Sequence, residues 1–170
     1  QLELRRELAE QAEREEHLAE TVRRRAVAER ALDEIEERYR LVARATNDAV
    51  WDWDFATNHV VWNEALEISF GHALTAVDPT GDWWIAQIHP EDRDRIDRSI
   101  HAAIEGAATS WSDEYRFRRA DGSFASIFDR GHVIRDHDGR ATRMIGAMLD
   151  VTERQESRAA LTISEERLRL

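Results

Sequence analysis

The sequence predicts an α+β fold: a five-stranded antiparallel sheet with helices inserted between its second and third strands, preceded by a long coiled-coil helix and followed by an exit helix. Three observations predict it. Residues 1–45 and 151–170 contain no Gly and no Pro and draw on a Glu, Arg, Ala and Leu vocabulary, whereas residues 46–150 hold all seven Gly, both Pro and all six Trp. Such shifts mark helix, globular domain, helix. In the second half of the middle segment, stretches with an apolar period of two are separated by Asp121-Gly122 and His137-Asp138-Gly139, which are hairpin signals. Between the earlier strands and these, the punctuation is helical. The expected organisation is residues 1–45 as an N-terminal coiled-coil helix, 46–152 as the globular domain, and 153–170 as a linker helix.

The first helix, at about 1.5 Å per residue, would extend about 65 Å. Leu4, Leu8, Leu18, Val22, Leu32 and Tyr39 fall on one a/d seam, which must also accept Gln11, Glu15, Arg25 and Glu29. A competing register keeps Leu8 and Val22 and substitutes Ala12, Ala19, Ala26 and Asp33. A lone helix of this composition buries its leucines only against another helix, so the seam predicts a homodimer.

Trp51, Trp53 and Phe55 alternate on one face of the first strand; Thr57-Asn58 turns the chain and His59 to Trp62 is the hairpin partner. Asn63 is expected to cap a short helix, Glu64 to Phe70, closed by Gly71. Asp82 is expected to cap a second helical piece, about Trp83 to Ile88. His89-Pro90-Glu91-Asp92 opens a longer helix with Pro at its first position, acids in its first turn, and Ile96, Ile100, Ala103 and Ile104 on one face; Gly106 ends it. Its mixed charges, Asp92 through Arg98, are most simply a solvated face. Trp111, Asp113, Tyr115 and Phe117 then alternate in the third strand, Phe124 to Arg135 is the fourth, and Thr142 to Val151 the fifth. Thr152 and Gln155 form a capping-box pattern, so the last strand should turn directly into the exit helix.

The charge narrows the function. There are 35 acidic residues against 24 basic, all Arg, for a net charge of −11, which argues against a nucleic-acid partner. No apolar run approaches the ~18 residues of a membrane span and no signal peptide opens the chain, so the expected location is cytoplasmic. The absence of cysteine removes disulfides, thiolate metal sites and thiol nucleophiles together. There is no P-loop, glycine-rich nucleotide fingerprint or nucleophile elbow, so no catalytic residue is assigned. His132 and His137, near Asp129, Asp136 and Asp138, are ordinary residues for an exposed hairpin, and no metal site is assigned to them.

The residues and their order resemble a PAS domain of the bacterial signalling type over about residues 36–154. The carriers are Glu37-Arg38-Tyr39-Arg40-Leu41, Trp51-Asp52-Trp53-Asp54, Val61-Trp62-Asn63, His89-Pro90-Glu91-Asp92, Glu114-Tyr115-Arg116, Asp121-Gly122-Ser123, and Gly146 followed by Asp150-Val151-Thr152-Glu153-Arg154. The resemblance implies that Asp150, Val151 and Thr152 transmit strain from the sheet into an effector helix. It also implies a parallel dimer and a downstream effector domain in the same chain. A second copy of the opening motif supports a tandem array: Leu32 and residues 36–41 match Leu161 and residues 165–170 at six of ten positions.

PAS domains often hold a ligand between sheet and helices, and which residues would bind one here is open. The photosensory flavin-binding members use a cysteine adduct, as do the coumarate-bound ones, and this chain has no cysteine to form one. Haem-binding members use a His on the long helix; the matching position is Asp97, with His101 one turn further, so haem is disfavoured. No cofactor is assigned, and a small colourless ligand remains compatible. The expected function is a sensory and signal-transmission module of a multidomain regulator of the sensor histidine kinase (two-component) or diguanylate cyclase type. The alternative is a structural dimerisation and relay module with no ligand of its own.

Overall fold

The computed structural model describes residues 1–168. Its elements run α1 (Leu2–Thr46), β1 (Ala49–Asp54), β2 (His59–Trp62), α2 (Ala65–Phe70), α3 (Gly81–Gln87), α4 (Pro90–Glu105), β3 (Ser110–Arg118), β4 (Phe124–Arg135), β5 (Ala141–Asp150) and α5 (Thr152–Leu168). Arg169 and Leu170, part of the repeated motif, lie outside the described residues. Residues 1–42 form one compact unit and the chain from Ala43 onward another.

In the first unit the helix is decorated by ion pairs one turn apart, such as Arg6–Glu10 at 3.2 Å, Glu20–Arg24 at 2.5 Å and Arg25–Glu29 at 3.3 Å. Pairs of this exposed kind contribute about 0.3–0.5 kcal/mol each. They favour the helix without burying its apolar residues.

In the second unit all five strands are antiparallel neighbours in the order β2-β1-β5-β4-β3. The chain's first and last strands therefore lie side by side at the centre, with Trp51 opposite Gly146. Period-two alternation sends Trp51, Trp53, Tyr115, Phe117, Ile127, Val133, Met144 and Met148 to one face, where they are buried against α2, α3 and α4. The Asp-Gly turns need a residue at positive φ, and Gly122 (89°) and Gly139 (81°) supply it.

Four local expectations are corrected. Asn63 does not cap α2 with its side chain: its Oδ1 accepts from the Val50 N–H at 3.0 Å and its Nδ2 donates to the Asp48 carbonyl at 3.1 Å, so it is spent on β1. α3 is capped by Thr80, whose hydroxyl accepts from the Trp83 N–H at 3.2 Å; Asp82 sits inside the first turn. The charged face of α4 is not simply solvated. Arg116 forks onto Asp92 with two 2.9 Å bonds, and Arg95 meets Asp113 at 2.5 Å, pinning α4 to β3. Finally, the Thr152 hydroxyl does not serve a capping box; the Gln155 N–H donates to the Val151 carbonyl instead.

Candidate functional site

Two interior glycines shape the centre of the domain. Gly131 and Gly146 face each other across β4 and β5, and the Trp51 ring lies over both. A Cβ at Gly131 would stand 2.6 Å from the Trp51 ring, and one at Gly146 would collide with that ring and with the Arg130 carbonyl. A glycine inside a strand marks such a close approach. The slot aims the indole along the sheet, and its Nε1–H donates to Asp129 Oδ1 at 2.9 Å.

Asp129 is completely buried. Its other oxygen accepts from the Tyr115 hydroxyl at 2.7 Å, and the Tyr115 oxygen in turn accepts from Trp84 Nε1–H at 2.8 Å. The Met148 sulfur lies 3.4 Å from the same hydroxyl. Burial raises the Asp129 carboxyl to about 7, against the opposing pull of hydrogen bonds from Tyr115, Trp51 and the Arg130 N–H. Burial, with the Asp129 charge beside it, also pushes the Tyr115 hydroxyl well above its ordinary range. The expectation that Asp129 belongs to an exposed hairpin is thus overturned: it occupies the inner face with Ile127 and Val133, while His132 and His137 are exposed.

Trp51, Trp53, Val60, Trp62, Gly81, Trp84 and Ile100 line a cavity of about 10 Å³, room for about one water. His101 lies on the exposed side of α4 with Nδ1 2.8 Å from the Asp97 carbonyl.

The second constellation is the exit junction. The Val151 N–H donates to the Ser126 carbonyl at 2.9 Å, and the Thr152 hydroxyl accepts from the Ser126 N–H at 2.9 Å, so the β4–β5 ladder continues into α5. Asp150 Oδ1 accepts from the Thr152 N–H at 2.9 Å, satisfying a free donor of the new helix, and Oδ2 accepts from Arg119 at 2.8 Å. Burial alone would raise the Asp150 carboxyl; the bonds from Thr152 and Arg119 outweigh it and hold the group below the usual carboxylate range. Asp150, Val151 and Thr152 are therefore brought together, with Arg119 and Ser126 as partners that the spacing did not reveal. Thr46, at the end of α1, lines the same groove as Glu153 and Arg119. The expected seam residues Leu4, Leu8, Leu18, Val22, Leu32 and Tyr39 are each more than half exposed on α1.

Among the described residues no helix is long and apolar enough to cross a membrane, and no three metal-ligating side chains gather.

A family model described as the PAS fold matches residues 59–148. The crystal structure of a sensory box histidine kinase/response regulator from Burkholderia thailandensis is 29% identical, covers 78% of this chain and 98% of that one, and superposes with a TM-score of 0.63. The non-motile and phage-resistance protein of Caulobacter vibrioides is 28% identical over 152 residues, 86% of this chain and 18% of that protein. The probable diguanylate cyclase DgcE of Escherichia coli is 22% identical over 142 residues, 84% of this chain and 13% of that protein. The chain thus spans less than a fifth of the curated relatives it matches. With the family match covering more than half of its length, the chain belongs to the PAS fold family.

Proposed function

We propose that this chain is the sensory and signal-transmission module of a multidomain bacterial regulator of the sensor histidine kinase or diguanylate cyclase type. In this reading residues 1–45 form a dimeric coiled coil, 46–152 the sensor, and 153–170 a linker helix to an effector, all in the cytoplasm. The observation that carries it is the junction: the first residue of α5 is hydrogen-bonded to β4 through Ser126, and Asp150 is bonded to both Thr152 and Arg119. A shift of the sheet is thereby delivered to the exit helix without an intervening flexible loop. In this reading the module itself takes no nucleic-acid partner, does not enter a membrane and carries no catalytic residue.

A second reading, a relay with no ligand of its own, is favoured by the packing of Trp51, Trp53, Trp84 and Trp111 into the interior. Mass spectrometry of denatured protein separates the two, since a co-purifying small molecule sinks the second. For the function itself, the output of the full-length regulator is compared between Thr152→Ala and Arg158→Ala. A larger change at Thr152 is expected; equal changes would contradict the junction's role.

A further inference from the structure

We infer that Asp129 is a proton-binding site inside the sheet, and that proton uptake reverses the hydrogen bond between Asp129 and Tyr115. The geometry requires a choice. A hydroxyl offers one hydrogen and two lone pairs. With Asp129 ionised, Tyr115 spends its hydrogen on Oδ2 and one lone pair on Trp84. A proton arriving from solvent on Oδ2 turns that oxygen into a donor, which takes the second lone pair of Tyr115. The tyrosine hydrogen must then leave Asp129, and the Met148 sulfur at 3.4 Å is the acceptor in reach. One proton is gained by the carboxylate, and Tyr115 keeps its own.

The surroundings leave the anion without a counter-charge. From β1 it meets Trp51, from β5 Met148, and through Tyr115 it reaches Trp84 of α3, all neutral. Across β3 its register partner is another carboxylate, Asp113. The nearby cation of α4, Arg95, is held by Asp113 and by the Glu114 carbonyl, and Ser99 of α4 also donates to Asp113. Arg143 pairs with Asp52, on the opposite face of the sheet. Among the described residues Asp129 forms no ion pair. An isolated buried carboxylate favours its neutral form, which places its titration near pH 7, where a cell's interior varies.

Met148 stands two residues before Asp150 on β5, so the reversed bond alters contacts of the strand that ends in the exit junction. That link to output rests on the proposed signalling role; the proton site does not.

The test is the side-chain carboxyl ¹³C resonance of Asp129, followed against pH in the whole chain and assigned with Asp129→Asn. A midpoint near 7 is expected. Tyr115→Phe removes a donor to the anion and should raise the midpoint by about one unit. Met148→Leu removes the alternative acceptor and should lower it. A midpoint in the ordinary carboxylate range, or shifts of the same sign in both variants, overturns the proposal. Because the titration uses no effector, its outcome is independent of whether the chain relays a signal.

Discussion

Trp51 reaches Asp129 because two glycines on neighbouring strands leave its ring a slot. The indole lies across Gly131 and Gly146, which face each other in the β4–β5 ladder, and its Nε1 stands 2.9 Å from the carboxylate. The polar centre of the sheet thus depends on side chains that are missing.

The first expected outcome concerns that slot. Gly146→Ala places a methyl group against both the Trp51 ring and the Arg130 carbonyl, and backbone cannot swing aside as a flexible side chain would. Overpacking of this kind costs about 1–3 kcal/mol or more. Urea unfolding should show a loss of that order, with the tryptophan emission of the folded state altered. Wild-type stability and spectrum would mean that the ring does not lie there.

The pH dependence of stability follows from Asp129, with its carboxyl at about 7 in the folded chain. An unfolded aspartate titrates near ~3.9, so the folded state binds this proton more tightly. The contribution is fully present below about pH 4, is lost as pH rises toward 7, and is flat above, with a slope of at most about 1.4 kcal/mol per unit. Asp129→Asn keeps an acceptor for Trp51 and a donor for Tyr115 without the charge. Denaturant midpoints between about pH 5 and pH 8 should therefore fall in the wild type relative to the Asn variant. Parallel curves would contradict the buried-carboxylate account.

Little of this centre was legible in the sequence, although most of the frame was. Alternation and Asp-Gly turns marked the strands, because a half-buried sheet imposes period two locally. Asp129 carries the same period as Ile127 and Val133, but its charge, next to histidines, argued for solvent. The signal that could have found it was Gly131 and Gly146, each interrupting a strand that should otherwise carry side chains. Asn63 and Thr152 sit at helix starts as capping residues do. Their side chains are taken by Val50 and Ser126, partners brought close only by strand pairing that no local pattern specifies. The central pairing of β1 with β5 was likewise invisible, since register across the whole domain follows from packing.

At the exit junction, Thr152→Ala removes the acceptor for the half-buried Ser126 N–H. Leaving such a donor unpaired costs about 1–2 kcal/mol. Arg158, exposed on α5, should tolerate alanine within about 0.5 kcal/mol. Hydrogen exchange at Ser126 should accelerate in the Thr152 variant alone; equal protection in both would show that the hydroxyl does not hold the strand.

The proposed relay turns on whether the exposed leucines of α1 meet a second copy. Acids in the seam, Glu15 and Glu29, weaken both candidate registers, so Glu15→Leu with Glu29→Leu should tighten the association. The most direct measurement is the light-scattering mass of the unmodified chain at tens of micromolar. The account predicts twice the 19.7 kDa of one chain. A mass of 19.7 kDa would contradict it and leave α1 a solitary charged helix.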